Sequence, residues 1–176
     1  MTDPNHPHTT SEKLIHAYDQ MLERVRRALE EPTDGALPRL GQAIEQARQL
    51  AFEFDELTRE EAEKIGDYIK RDIEAAANYL ASPESDELAN WLRFDIEQVE
   101  ARILESFLSV ADQTKLELLR LENEADLPAT YHTGEITSIG TLVCGHCGKL
   151  HHFHQTGHIP PCSGCGNTLF ARATDV

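Results

Sequence analysis

Cys144-Gly-His-Cys147-Gly148 and Cys162-Ser-Gly-Cys165-Gly166 hold every cysteine of the 176-residue chain. Two residues between the thiols let one tight turn aim both sulfurs at the same point. The two turns together therefore supply four thiolate ligands, Cys144, Cys147, Cys162 and Cys165. Gly148 and Gly166 follow directly, where such a turn often needs a positive φ that glycine adopts without strain. The same geometry lets backbone N–H groups point at the sulfurs. Fourteen residues separate the pairs, slightly fewer than the roughly 15–20 usual for paired knuckles, and a tight hairpin accommodates the difference. Four thiolates with no open position describe a structural site. Zinc and iron both accept this donor set. The polar, histidine-rich loop between the pairs, without aromatic shielding, favours one Zn2+; a rubredoxin-like iron centre is the alternative.

Outward from the cysteines, residues 130–176 read as a small β module. Glu135 to Val143 reads as a strand entering the first turn, Leu150 to Gln155 as its return, and Thr168 to Ala173 as a last strand. This is the pattern of a zinc ribbon. A module of this size buries too little apolar surface to fold alone, so its folding is expected to depend on the metal. On this reading chelation unfolds residues 135–173 and leaves the rest standing. Six of the nine histidines fall here. His152 and His154 share one strand face, where they are either exposed polar residues or a weak second metal site.

Upstream, apolar residues recur at helical spacing. Residues 1–11 are expected to be disordered and residues 12–129 to form an acidic helical bundle. The first helix runs from about Glu12 to Glu31, with a Thr9–Glu12 capping box and a stripe of Leu14, Tyr18, Met21, Leu22, Val25 and Leu29. Pro32, Asp34 and Gly35 end it. Pro38 opens a second helix with Leu40, Ile44, Ala47, Leu50, Phe54 and Leu57. Thr58 with Glu61 predicts a capping box and a break. The third helix carries Ala62, Ile65, Ile69, Ile73, Ala76 and Leu80, and Ser82 to Asp86 turns the chain. A long fourth helix, Leu88 to Val110, and a short fifth, Gln113 to Glu124, complete the set, closed by Leu127-Pro128. Single seams and short loops predict a mainly α fold, an antiparallel long-helix bundle or pair of coiled-coil hairpins. The small β zinc ribbon of residues 130–176 follows it. The helix acids are expected on outer faces.

Charge narrows the function. The net charge is −15, and residues 130–176 hold two acids and two bases, so residues 1–129 carry all of it. Neither part offers the basic footprint that phosphate neutralisation needs, which disfavours direct nucleic-acid binding. An acidic body favours basic protein surfaces. No apolar run reaches the roughly 20 residues of a membrane span, and the polar start is not a secretory signal. The expected address is the cytoplasm, where clustered cysteines mean metal chemistry. No Glu-x-x-His pair, phosphate loop or nucleophile elbow occurs, so no enzyme is expected.

Tyr131-His-Thr-Gly-Glu135, then Gly140-Thr-Leu-Val-Cys144 and the two knuckles, resemble the bacterial YbeL-like zinc-ribbon proteins. Asp112-Gln-Thr-Lys-Leu-Glu117 is similar to the segment before their ribbon. The resemblance implies a helical region, a C-terminal ribbon and the four cysteines as metal ligands. Ser163 departs from it, standing where such knuckles often have proline. Tyr131, His132, Gly134 and Glu135 read as a packed junction between helices and ribbon, with a recognition surface as the alternative. The leading function is a non-enzymatic adaptor that binds a protein partner, with self-association through the helices also open. A redox or metal-handling protein and a transcription- or translation-associated factor are the alternatives.

Overall fold

A computed structural model describes residues 10–31, 39–81, 91–94, 97, 99–121 and 129–173. The readings at Thr9, Pro32 to Pro38, Ser82 to Leu88 and Glu122 to Pro128, and the disorder expected over residues 1–9, lie outside those residues. Helix α1 spans Thr10–Glu30, so it starts slightly before the expected boundary, and Tyr18, Met21, Leu22, Val25 and Leu29 are all buried along one face. Helix α2 covers Arg39–Glu53 and α3 covers Arg59–Ala81.

The break between α2 and α3 is made as the sequence predicts. The Thr58 amide donates to Glu61 Oε2 at 2.9 Å, and the Glu61 amide donates to Thr58 Oγ1 at 3.2 Å. This reciprocal pair satisfies two helix-end donors that would otherwise lack partners. Asp55 adopts a φ of +54°, a conformation that aspartate tolerates better than most residues. That turn has a cost for the seam: Phe54 leaves the expected stripe and is 65% exposed. The Arg24 guanidinium lies 5.8 Å from its ring while pairing with Glu56.

The fourth helix is corrected more substantially. The unbroken run from Leu88 to Val110 does not form, because Arg93 has a φ of +60° and the helix α4 begins at Ala101. Helix α4 then runs to Leu121, through the expected junction at Gln113. The reason lies in a tertiary contact. In a continuing helix the Leu92 carbonyl would accept from the amide four residues on; here it accepts the Thr141 hydroxyl from the C-terminal sheet. Trp91 is fully buried and stacks on Phe107 with ring centroids 5.5 Å apart. Helix α1 packs against α2, α3 and α4, and α3 against α2 and α4. The protein is thus mainly helical with a small C-terminal antiparallel sheet.

That sheet has four strands in the order β1 (Thr130–His132), β6 (Leu169–Arg172), β3 (Gly140–Cys144), β4 (Leu150–Phe153). A second antiparallel pair joins β2 (Ile136–Thr137) to β5 (Gly157–His158). The expected single strand from Glu135 to Val143 is therefore divided at Ser138-Ile139, and its first part serves the helices. Ile136 and Ile139 lie in the same buried cluster as Tyr18, Ile69 and Phe107. Each such fully buried side chain is worth about 1.5–3 kcal/mol, so the helices and this segment share one core.

A buried charge marks the seam between them. Asp72 of α3 is 0% exposed, against the expectation that helix acids face outward. Its Oδ2 accepts the Tyr18 hydroxyl at 2.7 Å and the Ser138 amide at 2.8 Å. Its Oδ1 accepts from Arg172 of β6 at 3.2 Å and from Arg71 at 3.3 Å. Arg71 also pairs with Glu135 and donates to the Ile136 carbonyl at 2.9 Å. A pattern was available: Ile65, Ile69, Asp72 and Ala76 follow 4-3-4 spacing, so Asp72 occupies a seam position. Along the helices, acids and bases four residues apart also pair, with Lys64 2.8 Å from Glu60 and Arg27 3.1 Å from Glu23.

Asp72→Ala leaves the Arg172 guanidinium buried without its carboxylate, and a loss of about 3–5 kcal/mol is expected. Tyr18→Phe removes one hydrogen bond to the same carboxylate and is expected to cost only about 1 kcal/mol. Urea unfolding of the two variants checks this; equal losses would show that Asp72 acts as an ordinary hydrogen-bond acceptor and not as the counter-charge.

Candidate metal centre

The four cysteine sulfurs come together at the end of the four-stranded sheet. Cys144 ends β3 and pairs in register with Phe170 of β6, while Cys162 and Cys165 lie on the loop that leads into β6. Each knuckle is closed by a backbone bond across the turn, Gly148 N to Cys144 O at 3.0 Å and Gly166 N to Cys162 O at 2.8 Å. Gly148 and Gly166 have φ of +72° and +74°, the left-handed conformation that side chains resist. The turns also aim amides at sulfur, His146 N to Cys144 Sγ and Gly164 N to Cys162 Sγ, both at 3.4 Å. At the middle of the second knuckle, an added Cβ on Gly164 would lie 3.5 Å from Cys147 Sγ and 3.7 Å from Cys162 Sγ.

All four sulfurs lie within 4.8 Å of one another. The crosswise pairs Cys144–Cys165 and Cys147–Cys162 are each 3.6 Å apart, and the cysteines are free. A disulfide needs a separation of about 2.05 Å, whereas a tetrahedral ion with metal–sulfur bonds of about 2.3 Å spans sulfur–sulfur edges of about 3.8 Å. The spacing therefore fits a metal ion held by four thiolates. Among the described residues, no other group of three or more His, Cys, Asp or Glu ligand atoms converges as closely.

Electrostatics point the same way. The Cys147 amide, helped by His146 and Asn167, holds the Cys144 thiol down at about 6. Burial opposes ionisation of Cys162, but the amides of Gly164 and Cys165 outweigh it and lower that thiol. The Asn167 amide favours the thiolate of Cys165, yet burial and the three neighbouring sulfurs push it up to about 12. Four sulfurs this close cannot all carry negative charge without a cation among them, and a bound cation removes that conflict.

The sulfurs sit on a small core of their own. Cys144 and Cys162 are buried with Tyr131, Leu142, Ile159 and Phe170, while Cys147 and Cys165 face outward. Tyr131 links this core to the helices. Its hydroxyl accepts from Arg172 Nε at 3.1 Å, and the Arg71 guanidinium lies 3.9 Å from its ring. Burial pushes the Tyr131 phenol up to about 12. Glu135 pairs with Arg71, and the Gly134 amide donates to Ile159 O at 2.8 Å. The segment Tyr131 to Glu135 thus forms the junction, the first of its two sequence readings. Arg71, Asp72 and Arg172, which anchor that junction from the helix side and from β6, were not singled out in the sequence.

A pair of cysteine knuckles closing on one small antiparallel sheet defines a metal-binding structural module of the zinc-ribbon class. The chain belongs to the family described as "Zinc-ribbon containing domain", which matches residues 27–174. The match takes in α2, α3 and α4 together with the sheet, so the family unit includes both parts. The protein is similar to the uncharacterized protein YbeL of Escherichia coli strain K12, 28% identical over 134 residues that cover 73% of this chain and 79% of the relative. The same figures hold for YbeL of strains O6:H1 and O157:H7. The resemblance drawn from residues 112–173 is therefore shown for the chain. No solved structure matches it.

Because Ile136, Ile139 and Arg172 bind the sheet into the helical core, loss of the metal is not expected to leave α1 and α3 untouched, contrary to the independent unfolding that composition suggests. Chelation is expected to speed amide hydrogen exchange in the knuckles first and then around Tyr18 and Asp72. Exchange in α1 and α3 that stays at its metal-loaded rate would show that the two parts are uncoupled.

Proposed function

We propose that the protein is a non-enzymatic cytoplasmic adaptor whose single Zn2+, bound by Cys144, Cys147, Cys162 and Cys165, is structural. The observation that carries this reading is the closed site: four protein sulfurs converge, which leaves a tetrahedral ion no position for substrate or water. The polar, histidine-bearing surroundings of the exposed sulfurs favour zinc over iron. No helix among the described residues is long and apolar enough to cross a membrane.

The face offered to a partner lies between α2 and α3. A groove of about 630 Å³ is lined there by Phe52, Arg59, Glu53, Glu63 and Asp67, among others. Phe52 is 46% exposed, under the Arg59 guanidinium at 4.8 Å, and Phe54, two residues on and under Arg24, is exposed as well. Arg48, also in the groove, is already paired with Glu45 and Asp67, so the surplus charge is negative. Aromatic rings rimmed by acids suit a basic segment of a partner protein carrying an apolar anchor. The same charge disfavours pairing with a second copy of this acidic chain.

Metal analysis of the native protein is expected to return one zinc per chain and no colour. A ferric-thiolate absorption that bleaches on reduction would overturn the structural-zinc reading. In affinity capture, Phe52→Ala/Phe54→Ala is expected to lose partners that the wild type holds while keeping its helicity. Partners retained by that variant but lost by Cys162→Ser would move recognition to the ribbon.

A further inference from the structure

The β4–β5 turn carries histidines that the four-cysteine site does not use. His152, His154 and His158 line one concavity of about 330 Å³, together with His151 and Thr156. Their hydrogen bonds settle which ring nitrogens carry protons. Thr141 has one hydroxyl proton, and it goes to the Leu92 carbonyl. Toward His152 Nδ1, at 2.7 Å, the Thr141 oxygen must therefore accept. His152 Nδ1 carries the proton, and its Nε2 keeps a free lone pair. The same logic applies to His158, whose Nδ1 lies 3.1 Å from the Gly134 carbonyl. A carbonyl only accepts, so His158 Nε2 is the basic nitrogen, and it is buried without a hydrogen-bond partner.

His154 completes the set. It follows His152 by two residues on the same face, and the ring centroids are 6.5 Å apart. Two imidazoles on one ion, with metal–nitrogen bonds of about 2.1 Å, place their centroids roughly 5–6.5 Å apart. His154 Nδ1 is also buried without a partner, and buried polar atoms are normally satisfied. Phe94 packs against both rings, at 5.9 Å from His152 and 4.3 Å from His154, which limits their rotation. His151 differs: its ring stands edge-on to Phe170 in the cysteine-side core, so it belongs to the opposite face.

An imidazole that donates one N–H to a fixed oxygen and presents the other nitrogen bare is the arrangement in which histidine binds metals. We infer that His152 and His154, joined by His158, form a second metal site for a borderline divalent transition ion such as Zn2+. It is separate from the thiolate centre. The histidine nitrogens do not converge as the sulfurs do, so the three rings draw closer on binding and the ion is exchangeable, in the manner of a metal-handling site.

The test uses full-length protein already holding one zinc and dialysed against free Zn2+. The wild type is expected to take up a second equivalent at micromolar concentration. His152→Ala/His154→Ala is expected to lose it, and His158→Ala to weaken it by about tenfold, the lower end of what removing a group around a metal site does. His6→Ala/His8→Ala, which removes two histidines early in the sequence, is expected to keep it. In wild-type protein, the ring 15N resonances of His152 and His158 are expected to shift on adding Zn2+, a readout that does not depend on the variants folding. A wild type that stops at one equivalent, or a second equivalent that survives His152→Ala/His154→Ala or vanishes with His6→Ala/His8→Ala, would overturn the inference.

Discussion

Asp72 sits without access to water at the meeting point of α1, α3, the β2–β3 turn and β6. Removing a carboxylate from water costs several kcal/mol, and only a complete set of partners offsets it. Those partners come from four places far apart in sequence: Tyr18, Arg71, Ser138 and Arg172. None of the four alone satisfies the group, so the helical core and the sheet must be assembled together. Tyr18 gains the complementary dependence, because burial beside Asp72 raises its phenol well above the usual value and keeps it a donor.

The same constraint reaches the metal centre through β6. Arg172 stands opposite Leu142 of β3, two residues before Cys144, and the loop into β6 carries Cys162 and Cys165. A metal that fixes the two knuckles therefore also fixes the strand on which the counter-charge of Asp72 is mounted. Gly140 shows how closely the parts fit, since a Cβ there would lie 2.3 Å from an Arg172 nitrogen. Guanidinium groups that cannot reach water are covered by rings instead: Arg172 lies 5.0 Å from Trp91 and 4.7 Å from Tyr131. Such stacking suits the planar, weakly hydrated arginine side chain and would not suit lysine.

Local chemistry was legible wherever it depended on near neighbours. The Thr58–Glu61 capping box, the seams of α1 and α3, and the glycines after each second cysteine all rest on interactions spanning a few residues. The misreadings have different causes. Phe54 fits the α2 stripe by spacing, but α2 ends at Glu53 and the chain turns at Asp55, so the ring points outward. The run from Leu88 to Val110 has clean helical spacing, but the sheet's Thr141 captures the Leu92 carbonyl and the Trp91–Phe107 stack holds the interruption in place. At Phe54 a local turn decides the outcome; at Leu92 a long-range contact outweighs local propensity, which contributes only tenths of a kcal/mol per residue.

By itself the sequence determined that Cys144, Cys147, Cys162 and Cys165 would come together in one cluster suited to a metal ion, because a Cys-x-x-Cys-Gly turn carries its geometry within five residues. It also determined a mainly helical chain with a small β module at its C-terminal end, through the change in periodicity and charge near residue 130. Only the tertiary structure decided that these are not two independent bodies. That outcome turns on Asp72, Ser138 and Arg172 meeting across 66 and 100 residues of chain. A charged residue in a helical seam becomes legible only when its counter-charge is seen to arrive.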